Sequence, residues 1–157
     1  MIPRISQWMI RTAFMWLGLG FTAGALVLLQ KALPITPWLW TLRLSHVHML
    51  LVGWSVQFGV GVAYWIFPRF DATGDRGASR WWWVGYVCLN GGVCAAAAHD
   101  PVALFVSSMG HALAIVAGIL YIGAAIGLVI PLWQRVLPFR SHARRSHSTA
   151  EEPTHVV

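Results

Sequence analysis

Residues 45–68, SHVHMLLVGWSVQFGVGVAYWIFP, form an uncharged run opened by two histidines, His46 and His48. Such a run has few ways to fold. In hydrocarbon every backbone N–H and C=O must be satisfied within the protein, so an apolar stretch of about 20 residues crosses as a helix. An imidazole inside the stretch is costly unless it has a partner, and is by default a functional-site hypothesis. Neutral imidazole is also the commonest side-chain metal ligand. The run therefore predicts a membrane-crossing helix with a metal or haem site near one end.

Three further apolar runs accompany it. The predicted spans are 12–30, 44–67, 80–98 and 101–130, with Pro68, Pro101 and Pro131 at their ends. The first could pass for a signal peptide, because Arg4 and Arg11 precede it. Its apolar part, 13–29, is long for a signal core and no small-residue cleavage site follows, so it reads as a helix. Only 10% of the 157 residues are charged, against about 25% in a soluble domain. The expectation is an all-α integral membrane four-helix bundle over 1–139. A polar tail, 140–157, is expected to be disordered and cytoplasmic, with His142, His147 and His155 solvated.

Charge placement sets the expected topology. Arg4 and Arg11 precede the first span. Arg69, Arg76 and Arg80 lie between the second and third, and Arg135, Arg140, Arg144 and Arg145 follow the fourth; the other two loops hold only Lys31 and Arg43. By the positive-inside rule both termini are cytoplasmic, and the chain is read as multi-pass in a bacterial inner membrane. The basic residues are topology signals, so no nucleic-acid partner is expected. Asp71, Asp75, Asp100, Glu151 and Glu152 all fall outside the spans, which argues against a carboxylate relay within the bilayer. Trp38 and Trp40 suit an outer aromatic belt, and Trp81, Trp82, Trp83 and Trp133 an inner one. Cys88 and Cys94 share one helix on different faces, read as small buried hydrophobes, and are not expected to pair. Small residues such as Gly20 and Gly24 recur at helix-packing spacing, which suits a bundle or a dimer.

This topology puts His46, His48, His99 and His111 in the outer half. His46 and His48 would enter within about two turns of the outer end of their helix, pointing about 200° apart. They cannot share one iron from a regular helix. The face of His46 continues through Leu50, Gly53, Gln57 and Tyr64, and that of His48 through Val52, Ser55, Gly59 and Val62. Small residues below a ligand leave room for a flat macrocycle. His111, about 15 Å along its span from Pro101, has Ser107, Ser108, Ala114 and Gly118 on its face. Each imidazole could equally do no more than bond a neighbouring helix. His99, beside Asp100, reads as interfacial.

His46-Val47-His48, followed by Gly53, Gly61 and Trp65-Ile66-Phe67-Pro68, resembles the ligand-bearing helix of haem-copper oxidase subunit I. It is similar also to small four-helix membrane proteins related to that subunit, which share Ala-His-x-His…Gly-Trp…Tyr…Phe-Pro. Gly53-Trp54 and Tyr64 match, with Ser45 in place of the alanine. In that family the first histidine binds the high-spin haem and the second the low-spin haem. The resemblance implies that His48 ligates a haem b, with His111 as the partner from a facing helix. His46 would match the ligand of a second haem, if a dimer interface gave it room. The copper-binding histidines and tyrosine of the oxidases have no counterpart in the spans, so no copper and no stand-alone oxidase activity are expected. Cys-x-x-Cys-His is absent, which excludes haem c attachment. Arg43, one turn before His46, would pair with a haem propionate or else snorkel to the interface.

The implied function is a haem b protein in electron transfer or in response to a diatomic gas such as NO or O2. Its partners would be lipid, a quinone or cytochrome, and a second copy or a larger respiratory complex. The alternative is a cofactor-free accessory or assembly subunit of such a complex. A third reading, copper handling through His46, His48 and Met49, needs those ligands to converge on one ion.

Overall fold

The computed structural model describes residues 2–66 and 79–136. Among them every regular element is helical, in four helices: α1 (Arg4–Ala32), α2 (Pro37–Ile66), α3 (Ser79–Ala103) and α4 (Ser107–Val136). Three are long and apolar enough to cross a membrane: α1, α2 and the Ser107–Trp133 part of α4. The third predicted span, 80–98, does form a helix, but α3 is not one of the three. Trp81, Trp82, Trp83, Tyr86, Asn90, His99, Asp100 and its glycines hold its hydropathy down. The tail from 140 onward lies outside the described residues.

α1 and α2 make an antiparallel pair whose turn is built by one side chain. Gln30 Oε1 accepts from the backbone N–H groups of Ile35 and Thr36, at 3.0 and 2.9 Å. Pro37 then opens α2, a position where its missing donor costs nothing. The pairing follows a stripe of period near 3.6: Ile5, Met9, Ala13, Trp16, Gly20 and Ala23 are buried on α1. Facing them, Gly53, Gln57, Gly61 and Tyr64 are buried on α2. The Ser6 hydroxyl donates to the Gly61 carbonyl at 2.6 Å. The Gln57 amide donates to the Met9 carbonyl at 3.1 Å and also to the Thr12 hydroxyl.

α3 and α4 pack most closely of all, because glycine meets glycine. A Cβ on Gly127 would come within 2.9 Å of the Gly85 backbone. The two helix pairs join through a core of Ile5, Met9, Tyr64, Trp82, Leu89, Ala124 and Leu128. Here one expectation is corrected. Trp82 does not stand in an inner belt; it is fully buried, edge-on to Tyr64 at 4.3 Å between ring centroids. Successive helical residues are about 100° apart, so a Trp-Trp-Trp run cannot face one way, and only Trp81 and Trp83 stay exposed. The cysteines are free as expected, but Cys94 is exposed and Cys88 half-buried.

The break between the last two helices also moves. The sequence places Pro101 at the start of the fourth span; instead it lies inside α3, and α4 begins at Ser107. A proline within a helix removes the bond to the carbonyl four residues earlier, here that of Ala97. The Ser45 hydroxyl on α2 supplies the missing donor, reaching Ala97 O at 2.5 Å. Side-chain hydroxyls of neighbouring helices are a known way to satisfy such carbonyls. Satisfied in this way, α3 continues to Ala103.

α2 is not a regular α-helix. A 3₁₀ turn over Pro37–Thr41 leads into α-helix at Leu42–His48, then a π-helical stretch at Met49–Val56, and α-helix again at Gln57–Ile66. Ser55 Oγ bonds the carbonyl of Leu50, five residues back, at 3.0 Å. Wide turns of this kind are rare and collect at functional sites.

Candidate functional site

The helix reaches back to Pro37, so His46 and His48 are not at its mouth. His46 is nine residues inside it, just ahead of the π-helical stretch. On α2 the Ser45–Ala97 bond fixes the rotation of this segment against α3. Two sides of α2 flank that contact, one towards α1 and one towards α4, and each histidine takes one of them.

His46 turns to α1. Its Nδ1 lies 2.8 Å from the carbonyl oxygen of Gly20. A carbonyl can only accept, so Nδ1 carries the proton and the neutral ring keeps a lone pair on Nε2. The ring lies over Gly24, where a Cβ would fall 2.6 Å from Cε1 and 2.7 Å from Nδ1. Glycine at 24 is therefore a steric requirement for this ring position.

His48 turns the other way, to α4. The Tyr121 hydroxyl is 3.1 Å from His48 Nδ1, with the two rings 22° from parallel and their centroids 5.9 Å apart. Tyr121 in turn lies against α3, where Gly92 has no side chain to obstruct its ring. His99 and Asp100 lie within electrostatic range of His48. They pair with each other at 2.7 Å between Nδ1 and Oδ1, towards the end of α3.

His111 does not join them. It is exposed on α4 and has no hydrogen bond, ion pair or ring contact among the described residues. It precedes Tyr121 by ten residues, about 15 Å along the axis, and Tyr121 is where α4 meets His48. The facing His48–His111 pair expected from the sequence is thus absent from the single chain. On α4 it is Tyr121, and not His111, that meets His48. Arg43 is exposed and unpaired among the described residues. The convergence that copper handling requires is also missing: His46 and His48 engage different helices, and Met49 packs beside Gly20.

His46 has one nitrogen held by the protein and one left over. Both rings spend Nδ1 on the protein, and neither Nε2 has a partner or is a buried, unpartnered atom among the described residues. An imidazole anchored through one nitrogen with the other free is the arrangement that orients metal-binding histidines. Sequence reasoning found His46 but missed Gly24 as its floor and Tyr121 as the partner of His48. The small residue one helical turn from Gly20 was the available signal for the first. Tyr121, a polar aromatic far inside an apolar span, was the signal for the second.

Comparison of the chain with protein-family models, with curated proteins and with solved structures finds no match.

Proposed function

We propose that this chain is a multi-pass membrane protein, cytoplasmic at both termini, that binds haem b through Nε2 of His46. The observation that carries the reading is the His46–Gly20 bond, which forces the tautomer a ligand needs and anchors the ring on α1. The oxidase-like pattern over residues 45–68 supports it, since His46 is the position that matches a high-spin haem ligand. His111 stands apart from His48, so a single axial histidine is the better reading. Haem held by one histidine keeps a coordination position open for a diatomic gas. Response to such a gas is therefore favoured over electron transfer by a bis-histidine haem. The chain's own contribution is to hold the imidazole, set its basicity through the Gly20 carbonyl, and keep the site within apolar surroundings. A bacterial inner membrane, with a second copy or a respiratory complex as neighbour, completes the proposal.

A second reading has an observation of its own. Each imidazole already has a protein partner on a neighbouring helix, which is all that a cofactor-free accessory or assembly subunit requires. A pyridine haemochrome assay on wild type, His46→Ala and His111→Ala, with a carbon monoxide difference spectrum, separates the two. The haem reading expects bound, carbon monoxide-reactive haem in wild type and His111→Ala, and its loss in His46→Ala. Haem-free wild type supports the accessory subunit. Equal haem in all three proteins refutes the assignment to His46.

A further inference from the structure

The two histidines of α2 differ in what holds them, and the difference has chemical consequences. The partner of His46 is a carbonyl, which has no proton to give. The partner of His48 is a phenol, which has one. Tyr121 lies in an apolar span, half-buried, and a buried hydroxyl proton without an acceptor is costly. Among the described residues the one acceptor it reaches is His48 Nδ1. A nitrogen that accepts carries no proton in the neutral ring, so the proton of His48 resides on Nε2.

We infer that His46 and His48 are held in opposite tautomers, so that the pair offers one iron ligand and one N–H donor. Tyr121 is the positioning residue that enforces the second role. His46 presents a lone pair on Nε2, and His48 presents Nε2–H, which serves an oxygen acceptor and cannot bind iron. The part that concerns iron rests on the haem reading above; the tautomers themselves do not. The consequence is a single haem per chain. It also departs from what the family resemblance implies, since there the second histidine is a ligand.

The test is nitrogen NMR of the full-length protein in micelles, labelled with ¹⁵N-histidine, with His46→Gln and His48→Gln used to assign the signals. Wild type is expected to show His46 protonated at Nδ1 and His48 at Nε2. Tyr121→Phe should abolish the Nε2–H preference of His48 and leave His46 unchanged. A merely structural tyrosine would leave both unchanged, and that result overturns the inference, as does Nδ1–H on His48 in wild type. A haem assay forms the second arm. Gln keeps an N–H near the position of Nε2, so His48→Gln should retain haem while His46→Gln loses it. Loss of haem in His48→Gln overturns the division of roles. Haem-free wild type would refute the haem reading alone, with the NMR result still deciding the tautomers.

Discussion

Replacing Ser45 by Ala tests how α2 is registered against α3. Ser45 is 1% exposed, and its hydroxyl is the donor that the Ala97 carbonyl lost to Pro101. The interhelical bond itself is worth about 0.6 kcal/mol on average in membranes, with an upper value of about 1.7. A buried carbonyl left without any donor adds a cost of about 1–3 kcal/mol. Ser45→Ala should therefore destabilise by about 2 kcal/mol. In a Pro101→Ala background the restored backbone N–H satisfies Ala97 from within α3. There the same substitution should cost only about 0.5 kcal/mol, the net value of an ordinary bond at the low end of its range. The coupling of about 1.5 kcal/mol is well above the additivity error of about 0.3–0.5 kcal/mol for independent sites. Reversible unfolding of the four proteins in mixed micelles, followed by far-UV circular dichroism, measures the cycle. Equal costs for Ser45→Ala in the two backgrounds, with Pro101 kept or replaced, would refute the reasoning.

Packing makes three further predictions. Gly24→Ala puts a methyl group 2.6 Å from His46 Cε1; the ring must swing off Gly20, and the purified protein should retain less haem at unchanged helicity by circular dichroism. Gly127→Ala forces α4 off the Gly85 backbone, 2.9 Å away, and overpacking of this kind costs about 1–3 kcal/mol. Gly59→Ala meets nothing within 4 Å and should be stabilising by up to about 1 kcal/mol from helix propensity, so paired thermal melts in detergent give opposite signs. Gln57 is fully buried, and its Oε1 has no partner among the described residues. Gln57→Leu combined with Thr12→Val removes both ends of one bond and the orphan oxygen, and should cost less than Thr12→Val alone, which leaves one amide hydrogen of Gln57 without its acceptor while Met9 keeps the other.

The parts of this fold that obey simple periodicity were legible in the chain. The apolar runs gave α1, α2 and α4, and the 100° rule put Gly53, Gln57 and Tyr64 on the His46 face, where they are buried. What escaped depends on a partner distant in sequence. Pro101 reads as a helix start until Ser45, 52 residues away from Ala97 in sequence, supplies the missing donor. Trp82 reads as an interfacial anchor until Tyr64 covers it. The π-helical stretch has no composition signal, since Met49–Val56 is much like the α-helical Gln57–Ile66 segment that follows it, apolar with small residues. At the candidate site the imidazoles of α2 were legible as a pair on opposite faces. Their partners were not, because whether a histidine meets a carbonyl, a phenol or another histidine is decided by the relative levels of helices. The last helix starts at Ser107 and not at Pro101, so His111 lies only one turn into it.

The central claim, that Nε2 of His46 holds haem iron, is tested most directly by removing the ring and giving it back. His46→Gly opens a cavity over Gly24 that free imidazole can fill. The account predicts that the variant purifies without the wild-type haem spectrum and regains it when imidazole and haem are added together. A His46→Gly protein that carries haem with an unaltered spectrum and no imidazole present would contradict it.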